Sequence, residues 1–319
     1  MSTRLTVARA LARLERARVA GACASATVTC EQRALRRLLP RLGRSLPRVE
    51  RAHVEALLAQ RLSEVAPASV ARELSSLRAL FRLLVRDGLL SADPTERLVV
   101  RVPERAQLVL TDDAVRALLE AASLPVPARR APALVQAVAL RNRAALELLF
   151  ALGLRASELC RARAIDLELG AEPSLLVRRA KRAPAARLPL PPACVPHLSA
   201  YLRQARPVLL RLRDESAGCL LVSERGRPLT VNHLHRLVVH VARRAGLRAH
   251  PHALRRSLAS GLVRAGASLP TVQALLGHRR LDTTQRYVHV DLDELRACVE
   301  PLDRREGGAA NGYSAESSP

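Results

Sequence analysis

The chain has 319 residues, enough for two ordinary domains, and apolar side chains make up 49% of it, which excludes a chain that is disordered throughout. It carries 52 lysines and arginines against 29 aspartates and glutamates, a formal net charge of +23 at pH 7. This excess favours a polyanionic partner, nucleic acid before an anionic membrane, although a coding bias toward arginine and alanine can account for part of it. No apolar run approaches the ~18 residues of a membrane span, and the arginine-rich N-terminus has no signal-peptide core, so we expect a cytoplasmic protein without a membrane segment.

The cysteines and the lysine of the chain indicate which kinds of site to expect. The six cysteines form no CxxC pair and no Cys/His group with zinc spacing, so we expect reduced thiols and no structural metal. Lys181 is the single lysine among the 52 basic residues. Arginine replaces lysine in most roles but cannot easily release a proton, so Lys181 is a candidate for proton chemistry. The alternative is that it survived by chance.

The first hundred residues are predicted to be entirely helical. The segment 68–90 places apolar residues at the spacing of one buried helix face and ends at Asp87-Gly88. Those apolar positions are Val70, Leu74, Leu77, Leu80, Phe81 and Leu84. Residues 98–110 lose the helical period, so we assign residues 1–100 to a helical domain and 101–110 to a linker.

A second domain, 111–303, begins at Thr111, the predicted N-cap of a helix with aspartates in its first turn. A helix over 141–152 ends at Gly153, and a short helix, ASELCRAR, follows. Residues 174–191 are predicted to form two short strands around a turn that carries Lys181. The chemical role of the segment 121–140 does not follow from its sequence.

The remainder of the second domain is again helical by pattern. A helix is predicted at 197–211, and residues 225–256 hold eight arginines without any acid. Further helices are predicted at 252–265, at 270–276 before Gly277, around Tyr287 and at 292–300. The tail, 304–319, is predicted to be disordered. The fold class is therefore mainly α, with a small β-hairpin in a mostly helical second domain.

Five sequence features whose side chains could take part in catalysis follow one another along the chain. They are GLRASEL with Arg155, the lone Lys181, HALR with His252 and Arg255, LGH with His278, and Tyr287. Arg155 and His278 each stand just beyond a helix-ending glycine, and His252 and Arg255 share one helix face at i and i+3. Taken singly, each residue has an ordinary structural interpretation, as a solvated arginine, a core histidine or a packing tyrosine.

Taken together, these side chains suit a phosphodiester. Two guanidinium groups can bind phosphate oxygens and neutralise the charge of a pentavalent transition state. A tyrosine can be the covalent nucleophile, and a lysine with a tunable pKa can protonate a leaving oxygen. The set contains neither a carboxylate pair nor a cluster of metal ligands.

The ordered pattern strongly resembles the tyrosine recombinase family, also called phage-type integrases, in its Xer type. GLRASEL and HALRRSLASGLVRAGASLPTVQALLGHRRLDTTQRYVHV are similar to that family's catalytic domain, and residues 68–98 are similar to the end of its helical core-binding domain. Two departures are visible. Arg256 stands where the family often has a histidine, and the predicted hairpin, RAKRAPAAR, is less rich in glycine and lysine.

The resemblance implies a role for each residue. Arg155 and Arg255 would bind the scissile phosphate, and Lys181 would be the general acid to the 5′ hydroxyl. His252 would assist as acid or base, and His278 would donate a hydrogen bond to the phosphate. Tyr287 would form a 3′-phosphotyrosyl link, and Glu158 would support the site.

The resemblance also implies a site-specific recombinase with the tyrosine recombinase fold, needing no cofactor and acting on the nucleoid. Double-stranded DNA would be bound by both domains, in a homo- or hetero-tetramer assembled through the amphipathic segment 291–302. Its task would be chromosome dimer resolution or the integration and excision of mobile elements. Two alternatives stay open from the sequence: a type IB topoisomerase with similar chemistry, and a non-catalytic DNA-binding regulator.

Overall fold

The computed structural model describes residues 5–23, 25–43, 45–103, 107–125, 131–178, 185–211 and 218–277. The chain divides into two compact units, Met1–Ala106 and Gln107–Pro319, each of which has its own hydrophobic core. Within the described ranges, no helix is both long and apolar enough to cross a membrane.

The first unit is built from helices packed through leucine-rich faces. Its helices are α1 Val7–Ala20, α2 Ser25–Leu38, α3 Arg51–Glu64 and α4 Pro67–Arg86, with short 3-10 turns at Leu39–Leu42 and Leu46–Arg48. The predicted apolar face of α4 is confirmed, since each of its six residues is at most 2% exposed. Helix α4 ends at Asp87, and Gly88 takes the left-handed conformation, as its position after a helix end predicts.

A buried ion pair crosses the first unit between α3 and α4. Arg61 donates through Nε and Nη2 to the two carboxylate oxygens of Glu73, at 2.9 and 2.8 Å, and both side chains are only 6% exposed. Arg37 of α2 contacts the same carboxylate. The Arg61 guanidinium holds the pKa of Glu73 below its usual range, so this carboxylate stays charged at neutral pH.

The second unit is organised around a long buried helix, α6. Its elements before the sheet are α5 Asp112–Ser123, α6 Pro132–Ala151 and α7 Ala156–Leu159. The predicted N-cap of α5 is confirmed, because the Thr111 hydroxyl accepts from the amide of Ala114 at 3.3 Å. Helix α6 begins nine residues earlier than its predicted start at 141, so 132–140 belong to it. Helix α7 is shorter than predicted and covers four residues.

The two predicted strands are confirmed and belong to a three-stranded antiparallel sheet. Strand β2 Ser174–Val177 pairs with β3 Ala186–Pro189, and β1 Leu167–Glu168 pairs with β2 from the other side. The sequence did not predict β1, because two residues are too few to show an alternating pattern.

After the sheet the chain is helical again, as predicted. The elements are α8 Val195–Ala200, a π-helical turn Tyr201–Ala205, α9 Arg206–Leu210, α10 Val231–Arg244, α11 Pro251–Arg264 and α12 Leu269–Leu276. Tyr201 is buried, and its hydroxyl donates to the carbonyl oxygen of Leu220 at 2.8 Å. Helix α10 lies inside the basic segment 225–256, where the sequence predicts a high positive charge but no helix before residue 252. The described fold is therefore mainly α with one small sheet, which confirms the predicted fold class.

Candidate active site

A tight turn after α6 positions the first candidate residue. Gly153 has φ +57°, a conformation that disfavours residues with a Cβ. A Cβ added there would lie 2.5 Å from Leu276 Cδ2 and 2.9 Å from Leu258 Cδ2, so the space is also closed. Only glycine fits both requirements, and the turn places Arg155 just before α7.

Arg155 is held by an acidic residue of the same short helix. Glu158 accepts from the Arg155 backbone amide at 2.8 Å and from Arg155 Nη1 at 2.7 Å. The Glu158 side chain is 4% exposed, whereas that of Arg155 is 43% exposed. A buried carboxylate thus orients a guanidinium that still reaches solvent.

Arg255 occupies a very different environment, although it is the second candidate arginine. It is 1% exposed, and its Nη1 donates to the Gly153 carbonyl oxygen at 2.5 Å while Nη2 donates to that of Leu276 at 2.6 Å. Arg155 Nη2 lies 3.4 Å from the next carbonyl oxygen, that of Gly277. The two arginines, 100 residues apart in sequence, therefore contact consecutive residues of one turn.

His252 lies on the same helix as Arg255, but it is exposed where Arg255 is buried. The surrounding protein partly desolvates its ring and, together with the positive charges of Arg256 and Arg255, lowers the pKa of His252 to about 4. Arg155 contributes to the same shift, which places it within electrostatic range of the ring. At neutral pH His252 is thus a neutral imidazole within electrostatic range of three arginines.

His250, which is not among the candidate residues from the sequence, is the N-cap of helix α11. Its Nδ1 accepts from the amide of Ala253 at 3.2 Å, and its ring stacks on that of His235 with a centroid distance of 6.4 Å. Burial, Arg256 and His235 lower its pKa. Pro251 at the first position of the helix was the available signal, because proline there marks the preceding residue as a cap.

The other three candidates lie outside the described residues. Lys181 belongs to the segment that joins β2 to β3, His278 follows directly on Gly277, and Tyr287 is further along. The structure does describe the elements beside them. The strands on both sides of Lys181 are paired, and Gly277 ends α12 with φ +65°. The turn contacted by both arginines therefore leads directly into His278.

Comparison with known proteins identifies the family to which this fold belongs. Residues 109–294 match the model of the phage integrase family. This chain therefore belongs to the phage integrase family, and it is a site-specific DNA recombinase of the tyrosine type. The topoisomerase and regulator alternatives are not favoured.

The more specific resemblance is to Xer recombinases. The chain is 32% identical over 256 residues to tyrosine recombinase XerC of Lactobacillus delbrueckii subsp. bulgaricus, covering 77% of this chain and 80% of that one. It is 36% identical over 246 residues to tyrosine recombinase XerD of Xanthomonas axonopodis pv. citri, covering 74% and 77%. Among solved structures, the Tn1549 transposon integrase in complex with a circular intermediate DNA has a TM-score of 0.69 at 19% identity, over 93% of this chain and 100% of that one.

Proposed function

We propose that Arg155, Lys181, His252, Arg255, His278 and Tyr287 are the catalytic residues and that Glu158 supports them. One observation carries this proposal. Arg155 and Arg255 both contact the carbonyl oxygens of the turn 276–277, which leads into His278 and the segment of Tyr287. The phosphate of a bound DNA strand would lie at the exposed side of this turn, where Arg155 reaches solvent.

The proposed reaction conserves the phosphodiester bond energy. The Tyr287 hydroxyl oxygen bonds to phosphorus, the bond from phosphorus to the 5′ oxygen breaks, and Lys181 gives its proton to that oxygen. His252 is unprotonated at neutral pH, so its ring nitrogen can take the tyrosine proton as the bond to phosphorus forms. A 5′ hydroxyl from another strand then bonds to the phosphorus and gives its proton to Lys181, while the bond to the tyrosine oxygen breaks and His252 returns a proton to Tyr287.

The arginines have distinct parts in this proposal. Arg155 is exposed and fixed by Glu158, so it can bind phosphate oxygens directly through its guanidinium. Arg255 is buried and donates to the carbonyl oxygens of Gly153 and Leu276. These hydrogen bonds hold the turn in place and put the positive charge of Arg255 beside it. Two positive charges beside the phosphate stabilise the extra negative charge of the transition state.

We further propose that double-stranded DNA is bound by both units, largely through arginine contacts to phosphates. The basic segment 225–256 would supply part of that contact in the second unit. Recombination would take place in a homo- or hetero-tetramer assembled through 291–302, a segment outside the described residues, in the cytoplasm and on the nucleoid. The XerC and XerD relatives favour an Xer-like task, either chromosome dimer resolution or the integration and excision of mobile elements.

A plasmid assay separates this function from topoisomerase activity. A recombinase should convert a supercoiled plasmid carrying two cognate sites into resolved products and leave a site-free plasmid supercoiled. Processive relaxation of the site-free plasmid would contradict the proposal. Sequencing of DNA trapped covalently by the protein in its own cells would provide the site for this assay.

The role of Lys181 has a separate test. Lys181→Arg keeps the charge but cannot easily release a proton, so it should slow cleavage of an ordinary strand by about 10²-fold or more. A strand with a 5′-bridging sulfur needs no protonation of its leaving group, so it should be cleaved by this variant at nearly the wild-type rate. The control Arg182→Ala changes charge nearby and should show no such rescue. Failure of the sulfur to rescue Lys181→Arg would remove Lys181 from the acid role.

A further inference from the structure

A cavity of about 890 Å³ lies in the second unit, away from the arginine-lined turn. Its walls come from the first half of α6, the turn 223–227 and the start of α10. Arg141, which lines the cavity, lies roughly 15 Å along α6 from Ala151, where the helix ends before the turn at Gly153. The volume is in the range of small-molecule sites.

Arg141 is a buried cation whose binding capacity is only partly used. It is 2% exposed and lines the cavity. Its Nε donates to Asn142 Oδ1 at 2.9 Å and its Nη1 donates to the Val222 carbonyl oxygen at 3.1 Å. Across the described ranges, Nη2 makes no hydrogen bond and no carboxylate lies within ion-pair distance of the guanidinium. Burial lowers the pKa of Arg141 to about 10, so the guanidinium is still charged at neutral pH although it is largely removed from water.

The rest of the cavity is also suited to an anion. Among the described residues that line it, Glu224 is the single acid, and three further arginines are present: Arg225, Arg227 and Arg236. The first turn of α10, a helix of 14 residues, faces it with Thr230 as N-cap and His233 in the wall. The positive end of the helix dipole therefore adds to the arginine charges.

Aliphatic side chains also line the cavity. They are Val135 and Val138 of α6 and Leu237 of α10. A lining that combines charged donors with aliphatic side chains suits a ligand that carries a phosphate on an organic body, because a bare inorganic ion would leave the aliphatic side chains without a partner.

We propose that this cavity binds the phosphate group of a small phosphorylated ligand of mononucleotide size, with Arg141 Nη2 as its buried donor. The inference goes beyond the proposed recombinase function and does not depend on it. A DNA strand also carries phosphate groups, so the test separates binding of the free ligand from binding of DNA.

The experiment uses the full chain, with AMP and pyrophosphate as free probes in calorimetric titrations and a 20-base-pair duplex as the DNA probe. Wild type should bind AMP more tightly than pyrophosphate. Arg141→Met should weaken AMP binding by about tenfold or more, because a charged hydrogen bond is lost. Arg236→Gln, on the exposed side, keeps the buried network intact and should weaken AMP binding by about threefold to tenfold even if Arg141→Met fails to fold. The matched control is Arg243→Gln, on the same helix but outside the cavity wall, which should leave AMP binding unchanged.

Three results would overturn the proposal. One is the absence of AMP and pyrophosphate binding at millimolar concentration. Another is an equal loss of AMP binding in Arg236→Gln and Arg243→Gln, which would indicate unspecific attraction to a basic surface. The last is a loss of duplex binding in Arg236→Gln while neither free probe binds wild type, which would assign the phosphate to DNA.

Discussion

Arg255 Nη1 donates to the carbonyl oxygen of Gly153 at 2.5 Å, joining the middle of α11 to the turn that carries Arg155. The same guanidinium donates to Leu276 at the end of α12. One buried side chain therefore fixes two chain segments that both carry proposed catalytic residues. The geometry of the site depends on this contact as much as on the residues that would touch DNA.

The turn at Gly153 should tolerate no side chain. Gly153→Ala would combine a left-handed φ with contacts of 2.5 and 2.9 Å to Leu276 and Leu258, so we expect a loss of about 2–4 kcal/mol of unfolding free energy. The control is Gly246→Ala, since Gly246 has φ +67° but no atom within 4 Å of an added Cβ. It should lose only about 1 kcal/mol. Equal losses in urea unfolding would show that crowding at Gly153 is unimportant.

Glu158 should matter for cleavage more than for folding. Glu158→Gln removes the charge that orients Arg155 Nη1 while its amide can still accept from the Arg155 backbone. We expect a fall of about tenfold in the rate of single-strand cleavage, with a small change in duplex affinity. Glu172→Gln, an exposed residue before β2, is the control and should cleave normally. An unchanged rate in Glu158→Gln would show that Arg155 needs no such support.

The histidines at the start of α11 should make the second unit less stable in acid. The pKa of His252 is about 4 in the folded chain and about 6.5 when unfolded, so the unfolded chain binds the proton more readily between these values. Stability should therefore fall as the pH drops from about 6.5 toward 4. His252→Gln should reduce this dependence, measured as the free energy of unfolding against pH. An identical pH profile for wild type and His252→Gln would contradict the shift.

The buried pair in the first unit should be costly to break. Glu73→Ala leaves Arg61 buried without its main partner, so we expect a loss of about 3–5 kcal/mol. Glu55→Ala removes an exposed partner of Arg51 on the same unit and should lose about 0.5 kcal/mol or less. Thermal unfolding of both variants measures the difference. Comparable losses would show that burial adds nothing to the Arg61–Glu73 pair.

Local features of the fold could be predicted from the sequence. The apolar face of α4, the Thr111 cap and the glycine after α6 depend on short-range spacing and turn chemistry, which the sequence displays directly. Helix α10 also has helical spacing, with Leu234, Leu237, Val238 and Val241 buried, but arginines and histidines interrupt it. The helical spacing of apolar residues is therefore present in α10, but the charged residues between them make it hard to recognise.

The long-range contacts could not be predicted. The spacing of His252 and Arg255 placed both on one helix face, yet one is exposed and the other buried. That difference arises from Gly153 and Leu276, which meet Arg255 only in the folded chain. The hydrogen bond from buried Arg141 to the carbonyl oxygen of Val222, 81 residues away, likewise forms only in the folded chain.

The most direct test of the central claim is the covalent intermediate itself. Wild type incubated with a nicked suicide duplex carrying its site should form a protein–DNA adduct, and peptide mapping should place the DNA on Tyr287. Tyr287→Phe should bind the duplex with unchanged affinity and form no adduct, while Tyr313→Phe, in the tail, should react like wild type. An adduct that persists in Tyr287→Phe, or that maps to another residue, would contradict the proposed mechanism.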